Sequence, residues 1–316
     1  MTVAGILNVN KPKGWSSFDV VALVRRLVRE TTGDRRCRVG HAGTLDPAAE
    51  GVLPVCLGQA TRLVEYLVEE PKTYRAAIRL GVSTDTYDAW GTVTATADPS
   101  GVSRERAAEA LREFVGEVWQ VPPMYSAVKR EGVPLYRYAR AGQEVERQPR
   151  RVVIRRLELL DFEPPLLHIE VECGRGAYIR TLAYDLGERL GCGAHLDSLL
   201  RTRIGPFGLD EASDPDALRQ AFRDDHWADL LHAPDAVLLQ WPAAIIGERN
   251  ERWSRMGRSL DLPLTSAAWR RRLAPGLGCR AYSLGGYLVA ILRYEGDGRL
   301  WRPDKVFSAV EDGEGS

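Results

Sequence analysis

The sequence predicts an α+β fold in two parts, a larger N-terminal domain of mixed strands and helices and a small β-rich C-terminal domain. Segments that alternate apolar and polar residues, as strands do, stand between segments whose apolar residues recur at three- and four-residue spacing, as on a helix face. After Trp241-Pro242 the pattern changes to short strands around a Gly-Gly turn, over about seventy residues. A chain of 316 residues is long enough to bury a core without disulfides.

The N-terminal elements follow from local signals. A strand is predicted at 5–9, and the pair Ser16-Ser17 offers an N-cap for a helix with an apolar face that ends near Gly33. The stretch 37–47 contains glycines and a proline among polar residues, which predicts a loop. It leads into an apolar strand at 51–58.

The remaining elements continue the alternation of strands and helices. Strands are predicted at 74–82, 91–97, 152–162, 166–173, 279–284 and 287–294, and helices at 103–115 and about 178–190. Residues 121–150 are bounded by prolines, basic and irregular, which predicts an excursion from the body of the domain.

Charge is balanced in total and segregated along the chain. The 43 Lys plus Arg equal the 43 Asp plus Glu, which by itself argues against a polyanionic partner. Residues 1–45, 121–156 and 249–272 nevertheless carry basic excesses of five, six and five, and residues 209–235 hold eight acidic residues against two arginines. Aromatic residues such as Trp269 are interleaved with the basic runs. A solvated surface explains any single run, but the whole distribution favours an RNA partner on a basic face.

The five cysteines are widely spaced, with no Cys-x-x-Cys pair and no histidine at metal-ligand spacing. They indicate neither a disulfide framework nor a zinc site, and a reduced, cytoplasmic setting fits them best. The first residues do not form a basic start followed by an apolar core, and no apolar stretch is long enough to cross a bilayer. Secretion and membrane insertion are therefore not expected.

The densest candidate for chemistry is the motif Gly-His-Ala-Gly-Thr-Leu-Asp-Pro at 40–47. A residue before proline is held extended, and the preceding glycines let other groups approach closely, which suits an Asp46 carboxylate presented to a ligand. The alternative is that Asp46-Pro47 only begins a turn. His41 in the same motif is the kind of lone loop histidine that is more often hydrogen-bonded or exposed than a base.

A second candidate lies where a strand is predicted to meet a helix. Tyr178 and Arg180 stand two residues apart there, and an arginine beside Asp46 would keep that carboxylate ionised and oriented. The simpler interpretation of the pair is a core tyrosine and a surface arginine. Tyr74 opens another strand and could either stack on a base or pack in the core.

Eight motifs stand in order along nearly the whole chain. They are LNVNKPKGWSS at 7–17, GHAGTLDPAAEGVL at 40–53, LGQAT at 57–61, KTY at 72–74, PPMYSAVK at 122–129, YARAG at 138–142, GAYIRTL at 176–182 and GAHL at 193–196. This set resembles the TruB family of tRNA pseudouridine-55 synthases. The resemblance implies a mixed, largely antiparallel central sheet with flanking helices, followed by a PUA-like domain. It also implies isomerisation of one uridine in the T loop of tRNA, with no metal and no organic cofactor.

The resemblance implies roles for single residues. Asp46 matches the family nucleophile, which would add either to ribose C1′ or to C6 of the base, and Arg180 matches the arginine that pairs with it. Tyr74 matches the tyrosine that stacks on the flipped uracil, and it also stands where the C5 proton could be taken. The matches to substrate-binding positions are Tyr178 and Leu199 in the uridine pocket, His41 among the everted T-loop bases, and Lys129 and Arg140 in the basic excursion.

The same resemblance divides the chain into a catalytic domain at 1–240, a PUA-like domain at 241–312 that would meet the acceptor stem, and a tail at 313–316. The segment 121–150 corresponds to the family's mobile RNA-clamping segment. The expected partner is tRNA, bound by a monomer without a protein partner. A guide-RNA-dependent relative and a tRNA-folding chaperone remain as alternatives. The chain departs from the family's pattern at Leu200, where the family commonly has a basic residue, and this puts one RNA contact in question.

Overall fold

The computed structural model describes residues 3–126, 128–262, 274–296 and 300–308, apart from the side chain of Arg140. The described strands are β1 Gly5–Lys11, β2 Val39–His41, β3 Glu50–Leu57, β4 Lys72–Leu80, β5 Val82–Thr84, β6 Val93–Thr96, β7 Gly116–Gln120, β8 Lys129–Arg130, β9 Val133–Pro134, β10 Arg150–Glu163, β11 Leu166–Cys173, β12 Ala194–Ile204, β13 Phe207–Gly208, β14 Leu231–His232, β15 Ala243–Ile245, β16 Leu260–Asp261, β17 Gly278–Tyr282, β18 Leu288–Tyr294 and β19 Leu300–Val306.

The described α-helices lie between these strands. They are α1 Ser17–Thr32, α2 Val64–Glu69, α3 Arg104–Arg112, α4 Leu135–Arg140, α5 Ile179–Leu190, α6 Pro215–Arg223 and α7 Glu248–Arg255. Short 3-10 helices lie at Gly58–Leu63, Trp227–Leu230 and Ala236–Leu238. Within the described residues, no helix is long and apolar enough to cross a membrane.

The larger sheet has ten strands and is mixed. Its main path runs β14-β1-β3-β12-β4-β11-β10-β7, with β2 added to β3 and β13 added to β12. Strand β12 is parallel to β3, where Leu200 faces Glu50 and Arg201 faces Gly51. The other pairings between the named strands of this sheet are antiparallel. The predicted α+β class with a largely antiparallel central sheet is therefore confirmed.

Helices and the second sheet bury the large sheet from different sides. Alternate residues of β1 and β3 divide between two cores, one against α1 and α6 and the other against α2 and the C-terminal part of the chain. A third core lies where α3 and α5 pack on β4, β10, β11 and β12. Successive strand residues point to opposite faces, so the apolar run of β3 can serve two cores at once.

Helix α1 begins and ends at the residues the sequence indicates. Ser16 is the N-cap, and its side chain and that of Asp19 form a capping box, each accepting from the other's backbone N–H. Gly33 ends the helix with φ 71°, a left-handed conformation that glycine adopts without a steric penalty. A capping box of this kind contributes about 1 kcal/mol to helix stability.

The predicted β-rich C-terminal part is a five-stranded sheet with the order β15-β17-β18-β19-β16. This C-terminal part packs against the segment 58–69 through apolar side chains and also through polar contacts. The Tyr66 hydroxyl donates to Asp304 at 2.8 Å, Lys305 pairs with Glu65 at 2.6 Å, and the Gln59 amide bonds the Ser308 backbone. Trp269 and the predicted tail at 313–316 lie outside the described residues.

Two stretches are more regular than the sequence indicates. The predicted loop 37–47 contains β2, which pairs with β3. All three residues of β2 are half-buried, so the strand does not alternate between buried and exposed residues. The excursion 121–150 contains the hairpin of β8 and β9, followed by α4. Pairing with β3 determines the first structure. The hairpin forms locally around the turn residues Glu131 and Gly132, which both have positive φ.

Candidate active site

A cavity of about 360 Å³ lies where the Asp46 loop meets β4, β12 and the start of α5. That volume is within the range of small-molecule sites. Two backbone segments, 43–46 and 174–180, form much of its wall. The predicted site residues that line it are Asp46, Tyr74, Tyr178, Arg180 and Leu199.

The loop that carries Asp46 is held by the N-terminus of α1. The Ser17 hydroxyl accepts from the backbone N–H of Leu45 at 2.9 Å and donates to the Leu45 carbonyl at 3.1 Å. The Gly14 N–H donates to the Pro47 carbonyl at 2.8 Å. Because these contacts flank Asp46 on both sides, its backbone is fixed while its side chain is free to face the cavity.

Asp46 and Arg180 form an ion pair, with Nη2 of Arg180 at 2.9 Å from Oδ2 of Asp46. The Arg180 side chain is only 6% exposed, whereas 43% of the Asp46 side chain is exposed. The guanidinium also donates to the Tyr125 carbonyl at 2.8 Å and lies 3.6 Å from the Asp88 carboxylate. The arginine is thus a buried support, and the aspartate is the member of the pair that a ligand can reach.

Burial raises the pKa of the Asp46 carboxyl, because the surrounding protein stabilises a charge less well than water does. The Arg180 guanidinium acts in the opposite direction, and the nearby Asp88 carboxylate adds to the increase. The carboxylate is therefore less well solvated than an ordinary surface aspartate, which favours nucleophilic attack once it is ionised.

Tyr74 and Leu199 enter the cavity from neighbouring strands. On β4, Tyr74 lies opposite Arg201 of β12 and Val171 of β11, and it is almost fully buried. Burial raises the pKa of the Tyr74 hydroxyl, with the Arg201 charge acting against it. Tyr178 stands at the N-terminal end of α5. Tyr74, Tyr178 and Leu199 thus give the cavity that holds Asp46 an apolar, aromatic part of its wall.

Comparison with known proteins shows which family this chain belongs to. The profile described as TruB family pseudouridylate synthase (N terminal domain) matches residues 29–179, and the tRNA pseudouridylate synthase B C-terminal domain matches residues 180–239. A tRNA pseudouridine synthase B from Dehalococcoides mccartyi is 43% identical over 303 residues, 96% of each chain. This chain belongs to the TruB family of pseudouridylate synthases. The relative of the same name from Ralstonia nicotianae is 46% identical over 308 residues, which is 96% of this chain and 94% of the relative.

The fold of this TruB family chain is also similar to that of a solved structure. The structure titled "Crystal Structure of a Cbf5-Nop10-Gar1 Complex" matches it with a TM-score of 0.70 at 25% identity. The match covers 96% of this chain and 85% of that chain.

Four polar residues that support the site are not among the site residues predicted from the sequence. Asp88 contacts Arg180, and the Gln120 amide holds the Tyr178 backbone by accepting from its N–H at 2.9 Å and donating to its carbonyl at 3.2 Å. Buried Arg201 donates to the carbonyls of Val52 and Gly43 at 2.7 and 2.8 Å. Lys72 donates to two carbonyls, and burial lowers its pKa to about 8.

Two predicted binding residues, His41 and Lys129, do not line the cavity. His41 lies on β2, where burial lowers its pKa and favours the neutral ring. Lys129 is on β8 beside a second cavity of about 220 Å³, and the side chain of Arg140 lies outside the described residues. Leu200, between the cavity-lining Leu199 and Arg201, points to the other face of β12, so this departure leaves the cavity lining unchanged.

Proposed function

We propose that this chain is a tRNA pseudouridine synthase that isomerises uridine 55 in the T loop of tRNA. The observation that carries the proposal is the Asp46–Arg180 ion pair on the cavity wall, in which a buried guanidinium holds an accessible carboxylate. The reaction breaks the N1–C1′ bond, joins C1′ to C5, removes the C5 proton and protonates N1. Reactant and product are isomers, so no oxidant or reductant is consumed.

The residues take the following roles in the proposal. The target uridine leaves the stack, because neither C1′ nor C5 is accessible in a stacked loop, and its uracil stacks on Tyr74. The Asp46 carboxylate adds to C1′ or to C6, and Arg180 keeps it ionised and aligned. The Tyr74 hydroxyl carries its own proton at neutral pH, because burial raises its pKa. To accept the C5 proton, it would have to pass its own proton on.

We further assign residues 1–240 to catalysis and 241–312 to a PUA-like RNA-binding domain, which the separate C-terminal sheet supports. The excursion 121–150 is assigned to RNA clamping, because its Tyr125 carbonyl reaches Arg180 and its Lys129 and Arg130 line the second cavity. We propose that the protein acts as a monomer without protein partners. We also propose a cytoplasmic location, which the five free cysteine thiols support.

The test is incubation of the purified protein with an unmodified T stem-loop RNA, without added metal, guide RNA or other protein, followed by nucleoside analysis. We expect one pseudouridine per RNA at the position of uridine 55. If pseudouridine forms only when a guide RNA or partner proteins are added, the partner-dependent alternative is correct. RNA refolding without pseudouridine would favour the chaperone.

The pH dependence should reflect the carboxylates around Arg180. Asp46 attacks only when ionised, so kcat/KM should fall as the pH drops through its folded-state pKa, which burial raises above the ordinary value. Asp88→Asn removes a negative charge that raises this pKa, and the acid limb of the profile should move to lower pH. Asp197→Asn is the control, because Asp197 pairs with Arg79 at 3.1 Å. An acid limb unmoved by Asp88→Asn would contradict this assignment.

The acidic stretch 209–235 is expected to lie off the RNA footprint, since none of its residues lines the cavity. Charge reversal at the exposed Asp224 and Asp225 should change tRNA affinity less than about twofold. The matched reversal of Lys129 and Arg130 should weaken binding about tenfold or more. Filter binding at fixed salt measures both. Equal effects of the two double variants would place the acidic stretch at the RNA.

A further inference from the structure

Ser126 is a buried serine on the cavity wall whose hydroxyl has no hydrogen-bond partner within the described residues. Its exposure is 5%. The other buried polar side-chain atoms without a partner, among them Ser254 Oγ, belong to residues outside this cavity. A buried hydroxyl without a partner destabilises the folded protein, so its presence at a ligand site points to a ligand.

The backbone around Ser126 is fixed by both the catalytic pair and the excursion. The preceding carbonyl, of Tyr125, accepts from Nη2 of Arg180, the same nitrogen that contacts Asp46. The Ser126 carbonyl accepts from the N–H of Tyr136 in α4 at 3.1 Å. The hydroxyl is therefore held at a defined place on the cavity wall, close to the ion pair.

Three other polar side chains of the cavity are already engaged. Arg201 and Lys72 donate to backbone carbonyls, and Asp46 is paired with Arg180. Burial raises the pKa of the Tyr178 hydroxyl, and the nearby Ser126 hydroxyl acts against that increase. The separation of the two hydroxyls is nevertheless outside hydrogen-bond geometry, so Ser126 Oγ has no partner within the described residues. A uracil that leaves water carries two carbonyl oxygens and an N3–H that need new partners. A serine hydroxyl can rotate to donate to such an oxygen.

We propose that the Ser126 hydroxyl donates a hydrogen bond to a carbonyl oxygen of the everted uracil, which makes Ser126 a substrate-binding residue that orients the base against Asp46. The inference rests on the proposed function and adds the residue that holds the polar edge of the base. It also explains why the free protein keeps a buried hydroxyl that its own fold leaves unbonded.

The first test compares Ser126→Ala with Ser254→Ala, a matched control that removes an unpartnered buried hydroxyl from α7. Thermal unfolding midpoints should be unchanged or higher in both variants. On an unmodified T stem-loop, kcat/KM should fall about tenfold for Ser126→Ala and stay at the wild-type value for Ser254→Ala. Wild-type kcat/KM in Ser126→Ala overturns the proposal.

The second test identifies the bonded oxygen. Stem-loops carry 2-thiouridine or 4-thiouridine at the target position, because sulfur accepts hydrogen bonds more weakly than oxygen. One thio substitution should slow the wild-type protein severalfold and have little further effect on Ser126→Ala. Equal slowing of both proteins by each substitution overturns the proposal. If the wild-type protein makes no pseudouridine even from the oxygen substrate, the proposed function itself is wrong.

Discussion

Replacement of Arg180 by Ala is expected to lower the turnover rate about 10³-fold and to change RNA affinity less than about threefold. The side chain is buried behind Asp46, so it offers little surface to RNA. Arg180 contacts the carboxylates of both Asp46 and Asp88, so the alanine variant leaves these two negative charges without the cation between them. The Asp88 charge raises the pKa of Asp46, so without Arg180 the Asp46 carboxylate would be both protonated more easily and misaligned. Single-turnover kinetics and a binding isotherm measure the two effects separately.

Arg175→Ala is the matched control for this variant. Arg175 lies on the same cavity-lining segment but is 64% exposed and pairs with Glu69 instead of Asp46. Its loss should leave the turnover rate within about threefold of the wild type. Comparable losses of affinity and rate in Arg180→Ala would show that Arg180 binds a phosphate.

Asp46→Asn is expected to abolish turnover, with a loss of at least about 10⁴-fold, while the RNA still binds. The amide has nearly the same shape as the carboxylate, so the cavity keeps its form. It carries no negative charge and cannot form the covalent bond to C1′ or C6. A binding isotherm with the T stem-loop should match the wild type within about threefold. A variant that binds RNA normally and still turns over would mean that another group is the nucleophile.

Local signals predicted the elements whose structure is decided locally. The capping box at Ser16 and Asp19, the left-handed Gly33 and the apolar face between them are properties of neighbouring residues, and α1 was predicted with its true ends. The motif containing Asp46 and the one containing Arg180 are local too. Their order along the chain, matched to a family, was enough to predict the pairing that the structure shows at 2.9 Å.

The supporting residues could not be predicted in this way, because their partners are distant in sequence. Arg201 bonds carbonyls about 150 residues earlier, which come within reach only because β12 inserts between β3 and β4. Gln120 reaches Tyr178 across 58 residues. Asp88 lies next to Leu196 through an isolated bridge, with Tyr87 before it in a left-handed conformation at φ 63°. A sequence pattern does not predict such contacts. Polar residues are mostly exposed, so a polar residue in the sequence gives no sign that its side chain is buried.

The most direct measurement of the central claim is tritium release from a T stem-loop that carries [5-³H]uridine at position 55, under single-turnover conditions. Joining C1′ to C5 expels the C5 hydrogen, so release reports the isomerisation itself. The wild-type protein should release one tritium per RNA, and Asp46→Asn at equal RNA occupancy should release none above background. Stoichiometric release by Asp46→Asn, or no release by the wild-type protein with RNA bound, would contradict the account.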